Sequence, residues 1–156
     1  MSPPVKIRKA KLKDWKKIQK LNHEIFTANS RFDPFFNPDW EFTRAGTKYL
    51  KEITSDKKFC CLIAEIDGKP AGYLNGKKKA FFYRTRSVAE LENIGVLPQY
   101  RSQKVGARLI AAFKSWCRQN NLRTLQVNCY YKNTRAIKFY RRLNLKPLDI
   151  TFEGKI

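Results

Sequence analysis

The run ELENIGVLPQYRSQKVGARL, Glu90 to Leu109, holds three kinds of sequence in direct succession. Glu90 to Leu97 is rich in apolar residues and reads as a strand, and Pro98 to Lys104 is a polar, basic turn. From Val105 onward apolar residues recur at Val105, Leu109, Ala112, Phe113 and Trp116, the spacing of one helix face. A strand feeding a short basic loop and then a helix makes an anion site. The first helical N–H groups have no intrahelical partner, and the helix dipole favours negative charge there. Gly106 lets a phosphate approach the backbone, and Arg101 and Lys104 add positive charge at the same end.

On these residues the chain resembles the Gcn5-related N-acetyltransferase (GNAT) family. YRSQKVGARLI is similar to that family's pyrophosphate loop, Arg/Gln-x-x-Gly-x-Gly/Ala. Arg101 fits the first position and Gly106 the last, while Lys104 stands where the first glycine is usual. Val96, Pro98 and Tyr100 ahead of the loop also look like that family. Further on, Leu125 to Cys129 alternates as a strand, with Leu125, Val127 and Cys129 on one face. NTRAIKFYRRLNL, Asn133 to Leu145, then resembles the family segment Asn-x-x-Ala-x-x-Phe-Tyr-x-x-x-Gly-Phe. Asn133, Ala136, Phe139 and Tyr140 match in register; Leu145 replaces the aromatic. Asn144 replaces the glycine, and Asn is the next best residue for a left-handed helix cap. Two motifs in the right order and separation are more specific than either alone. The resemblance runs from about Phe59 to Leu148 and implies an α/β chain with the GNAT acyl-CoA N-acyltransferase fold. That fold is a mixed central β-sheet flanked by about four helices. Residues 1–156 are then expected to form a single N-acetyltransferase domain.

The bulk of the chain agrees with a folded domain. The content is 42% apolar and 13% aromatic, enough to argue against disorder. No run approaches membrane-spanning length and the start lacks an apolar signal segment, so no membrane partner and a cytoplasmic location are expected. The four cysteines, Cys60, Cys61, Cys117 and Cys129, have no ligand spacing and read as reduced core residues. With His23 the single histidine, no metal site is expected.

In order, Val5 to Lys9 predicts a strand and Lys13 to Ala28 a helix, with Leu12, Trp15, Ile18, Leu21 and Ile25 as its apolar stripe. Asn29 to Asp39 is a turn-rich link, and Trp40 to Ile53 a second helix. Phe59 to Ile66 suits a buried strand, and Asp67-Gly68-Lys69-Pro70 turns it back into Ala71 to Asn75. Lys77 to Ser87 reads as a basic loop or frayed strand end. After the central strand come a helix from Val105 to about Asn121, the short strand, a helix from Thr134 to Leu143 and a last strand over Leu148 to Phe152.

Acetyl transfer from a thioester to an amine requires a held thioester, a neutral amine, a stabilised oxyanion and a proton for the thiolate. The resemblance implies acetyl-coenzyme A as cofactor. Its pantetheine would pair with the backbone of the Ile94–Leu97 strand, including Gly95, and the main-chain N–H of Val96 would be the oxyanion donor. The pyrophosphate would rest on N–H groups of Arg101, Ser102, Gln103, Lys104, Val105, Gly106 and Ala107, with Asn133 near the coenzyme. Lys104 can still bind through its own N–H if its side chain points outward.

Tyr140 is the candidate acid. A phenol of pKa ~10 is protonated at neutral pH and can donate to a developing thiolate; the other reading is an apolar-face aromatic beside Ala136, Ile137 and Leu143. Glu90 and Glu92 are the candidate bases, and strict alternation puts both on one face with Ile94 and Val96. Glu92 corresponds best to the small-amine enzymes and Glu90 to the histone type, and Glu92 is preferred. For the acceptor, Phe32, Asp33, Phe36 and Arg84 are the candidate residues. The phenylalanines can stack on a substrate or anchor their loop, and Asp33 can bind an ammonium or cap a turn.

The chain carries 33 basic against 13 acidic residues, a net charge of +20. Attraction to nucleic acid or an acidic protein is one reading. The spread of lysines along the chain favours the other, a basic surface of which part serves coenzyme A. Two functions follow. The first is an N-acetyltransferase moving acetyl from acetyl-coenzyme A directly to an amine of a small molecule or protein. The alternative is a basic, weakly or non-catalytic module of the same fold that binds nucleic acid or ribonucleoprotein. A homodimer is compatible with both.

Overall fold

The computed structural model describes residues 3–156. Five strands make one sheet in the order β1 (Val5–Lys9), β2 (Phe59–Ile66), β3 (Lys69–Lys79), β4 (Val88–Val96) and β5 (Leu125–Val127). The first four are antiparallel to their neighbours, and β5 joins β4 in parallel, so the sheet is mixed as expected. The helices are α1 (Trp15–Asn29), α2 (Arg44–Ser55), α3 (Val105–Gln119) and α4 (Thr134–Arg142).

Alternation along β2 sorts the core into two layers. Cys60, Leu62, Ala64 and Ile66 face a cluster with Leu109, Ile110 and Phe113 of α3, against which Phe139 and Tyr140 of α4 also pack. Phe59, Cys61 and Ile63 face Ile18 and Leu21 of α1 and Leu50 and Ile53 of α2. Each helix buries its apolar stripe on one side of a sheet whose central strands are covered on both. At Gly95 a Cβ would overlap the Ile25 side chain, so the missing side chain is what lets α1 lie on β4. The Asp67-Gly68 turn has both residues at positive φ, +49° and +74°, the geometry of a tight hairpin. Asn144 takes φ +63° after α4, the left-handed cap expected of it. Among the described residues no helix is long and apolar enough to cross a membrane.

Several expectations are corrected. The second helix begins at Arg44, not Trp40, because the Thr43 side chain caps it by accepting from the Gly46 N–H at 3.1 Å. Trp40–Phe42 instead forms a separate turn of 3-10 helix. Lys77–Lys79 belongs to β3 rather than to the following loop. The strand expected over Leu125–Cys129 stops at Val127, and Cys129 is exposed rather than in the core. No strand forms over Leu148–Phe152: Leu148, Ile150 and Phe152 are 71%, 67% and 91% exposed. Alternation alone cannot make a strand without a partner edge, and the three residues of β5 offer a short one.

Glu90 and Glu92 do not share a face with Ile94 and Val96. Asn75 pairs with Asn93 while the next residue, Gly76, pairs with Leu91, so Glu92 is an extra residue in β4 with no opposite number. This bulge shifts the alternation. Leu91, Ile94 and Val96 pack toward α3, whereas Glu92 bonds Tyr49 of α2.

Candidate active site

β4 and β5 pair only from Ala89 with Leu125 to Leu91 with Val127; beyond that β4 continues alone to Val96. On the other edge Leu97 N–H donates to Ala71 O of β3 at 2.9 Å. Because bonded and non-bonded positions alternate in an antiparallel ladder, the N–H and C=O of Val96 point away from β3, toward the open side. Arg101 Nε donates to Val96 O there at 3.1 Å. The parting of β4 from β5 thus leaves an unpaired stretch of backbone in mid-sheet.

At the end of this opening lies the loop into α3. Among the described residues, the backbone N–H groups of Ser102 to Ala107 have no acceptor. The reason is geometric: the helix starts at Val105, and Ser102 and Lys104 take left-handed φ of +67° and +61°. A run of free N–H groups at the positive end of a helix dipole fits a diphosphate. These groups, with the outward Val96 N–H, are the features by which this chain fits coenzyme A.

Lys104 therefore holds the conformation that a glycine takes readily. Its departure from the family pattern costs strain, not the donor. Left-handed φ costs a non-glycine residue ~1–2 kcal/mol, partly offset by the greater unfolded-state freedom of glycine. Lys104→Gly is expected to stabilise the fold by about 0.5–1 kcal/mol while retaining acetyl-coenzyme A binding. A lower denaturant midpoint would show that Lys104 is held by contacts worth more than the strain.

Gly106 faces α4: a Cβ there would stand 3.1 Å from Phe139 Cζ. Phe139 thus packs over the start of α3, and Tyr140 follows it into the same apolar cluster. The Tyr140 hydroxyl has no hydrogen-bond partner among the described residues, and burial, then the nearby Cys129, push its pKa above the ordinary phenol value. It remains a proton donor. Asn133 caps α4, accepting from Ala136 N–H at 3.1 Å.

On the opposite face, Glu92 Oε2 accepts from Tyr49 Oη at 2.8 Å and from Asn75 Nδ2 at 2.7 Å, and Oε1 pairs with Lys77. Burial first, and then the Glu92 charge and hydrogen bond, raise the Tyr49 phenol far above its usual pKa, so Tyr49 stays a donor. Glu90 pairs with Lys79 beside a cavity of about 90 Å³ lined also by Phe81, Gln126, Val127, Asn128 and Asp149. The candidate acids and Tyr140 thus stand on opposite faces of the sheet. Sequence reasoning missed Tyr49, Asn75 and Lys77, which reach Glu92 from another helix and the adjacent strand.

The acceptor-side residues are occupied with one another. Phe32 stacks on Tyr130 at 5.7 Å between ring centroids, and Phe36 meets the same ring edge-on at 6.3 Å. Asp33 accepts from Phe35 N–H at 2.9 Å and from Tyr130 Oη at 3.3 Å. Phe32, Asp33 and Phe36 anchor the α1–α2 link to the segment after β5. Arg84 lies apart, over the Phe81 ring at 5.8 Å.

Residues 15–145 match the acetyltransferase (GNAT) family. An uncharacterized N-acetyltransferase of Archaeoglobus fulgidus is 27% identical over 111 residues, 69% of this chain and 76% of that protein. One of Methanocaldococcus jannaschii is 27% identical over 126 residues, 80% of this chain, and the match spans 54% of its own length, about half. A solved aminoglycoside N-acetyltransferase in complex with coenzyme A superposes with a TM-score of 0.75 at 20% identity, covering 100% of this chain and 97% of that one.

Proposed function

The chain belongs to the acetyltransferase (GNAT) family and is by that membership an acetyl-coenzyme A-dependent enzyme; from this premise we propose that it moves the acetyl group directly to an amine of a small molecule or protein, with Glu92 as general base and Tyr140 as general acid. The observation that carries this reading is the parting of β4 from β5 after Leu91, beside the free N–H groups of Ser102 to Ala107.

Acetyl-coenzyme A, when bound, supplies an activated acetyl thioester. The Ser102–Ala107 N–H groups hold its diphosphate, and the Val96 N–H donates to the acetyl oxygen as negative charge develops. Glu92 takes a proton from the acceptor ammonium, leaving a neutral nitrogen to attack, and Tyr140 gives its proton to the departing sulfur. Base and acid on opposite faces let the amine enter from the α1–α2 side while the coenzyme lies on the side of α3 and α4. Glu90, paired with Lys79, is the second candidate for the base.

The test is a calorimetric titration with acetyl-coenzyme A at moderate salt, with ATP as a polyanion control, followed by an amine screen read by thiol release. One-site binding that ATP does not reproduce, and amine-dependent thiol release, are expected. Equal binding of both ligands without turnover would leave the basic binding module as the better reading.

A further inference from the structure

Between the α1–α2 link and the start of α4 runs an open groove of about 430 Å³ lined by Arg31, Phe32, Lys132, Asn133, Thr134 and Arg135. Three of its walls are cations, and among the described residues Arg31, Lys132 and Arg135 form no ion pair. Arg31 is set in place by stacking, its guanidinium 4.6 Å from the centroid of the Phe32 ring, which in turn stacks on Tyr130. Arg101, bonded to the Val96 carbonyl at the strand opening, belongs to the same cluster. Burial lowers its pKa and the charges of Arg135 and Arg31 lower it further, with Glu24 opposing them. Guanidinium groups gathered at the cost of mutual repulsion, on a side chain suited to forked contacts, match a phosphoryl dianion.

We propose that this groove binds a phosphoryl group through Arg31, Lys132 and Arg135, and that the group is the ribose 3′-phosphate of the coenzyme. The inference rests on the acetyltransferase reading above: Arg101 joins the groove to the diphosphate loop, which leaves the nucleotide end of the coenzyme to reach Arg31 and Arg135. An anionic acceptor is the other source of the same chemistry. Arg31 lies on the link that walls the acceptor side, so the phosphoryl group would tie that link to α4.

The experiment compares coenzyme A with 3′-dephospho-coenzyme A by calorimetry at fixed salt, for the unaltered protein, Arg31→Ala and Arg135→Ala. Both residues are exposed, and thermal melts check that the variants remain folded. Charge-assisted hydrogen bonds of this kind contribute ~1.5–3 kcal/mol, roughly tenfold or more in affinity. The unaltered protein is expected to prefer coenzyme A by about that factor, and each variant to lose roughly that preference while binding the dephospho form as before. Equal affinity of the unaltered protein for both coenzymes, or equal losses for both in the variants, would overturn the proposal. So would intact coenzyme preference in variants that bind inorganic phosphate more weakly, a result that moves the phosphoryl group to the acceptor. Failure of the unaltered protein to bind either coenzyme would overturn the acetyltransferase reading itself.

Discussion

Tyr140→Phe is expected to lower kcat by roughly 10²- to 10⁴-fold, the usual contribution of a positioned acid, with little change in acetyl-coenzyme A affinity or melting temperature. The substitution removes only the hydroxyl, which has no partner among the described residues, and keeps the ring that packs beside Phe139 and Leu143. Folding loses no hydrogen bond, so the chemical step is read nearly in isolation. Because burial raises the phenol's pKa, the proton stays on Tyr140 through neutral and mildly alkaline pH. Deprotonation of Tyr140 should therefore not appear as an alkaline limb near its ordinary pKa of ~10. A kcat within about threefold of the unaltered enzyme, a barrier change below ~1 kcal/mol, would make Tyr140 a packing aromatic.

Glu92→Gln should lower kcat/KM by about 10²-fold or more and flatten the acid limb of the pH–rate profile. Glutamine keeps a carbonyl oxygen to accept from Tyr49 and Asn75, so the polar cluster between α2, β3 and β4 retains its hydrogen bonds. What is lost is the proton acceptor and the ion pair with Lys77. The parallel variant Glu90→Gln separates the two acids. Glu90 sits on the regular part of β4, where it is paired with Lys79 and lies outside the Tyr49–Asn75 cluster, and its loss should cost far less. A larger fall for Glu90→Gln than for Glu92→Gln would exchange the assignments.

Much of this was legible locally. The strand, basic turn and helix over Glu90–Leu109 appear where apolar spacing puts them, and the hairpin forms at Asp67-Gly68 because both residues tolerate positive φ. Asn133 and Asn144 open and close α4 as their side chains suit them to do. Helix 44–55 was less legible, since its start depends on Thr43 and not on the apolar Trp40. Lys104 was legible as a departure. That it adopts the glycine-like conformation, keeping the N–H groups free, required the backbone.

The sequence by itself therefore determined the order and type of the elements, the phosphate loop and the family, because periodicity, caps and turns act within a few residues. Tertiary structure decided which face each acid occupies, how far β5 follows β4, and that Leu148–Phe152 finds no partner strand. It also brought Tyr49 to Glu92 and Arg31 to the vicinity of Arg101 and Arg135. Each of these is a matter of register and pairing between segments distant along the chain. One extra residue at Glu92 is enough to reverse the alternation after it, and no local pattern in β4 records that its partner strand is a residue short.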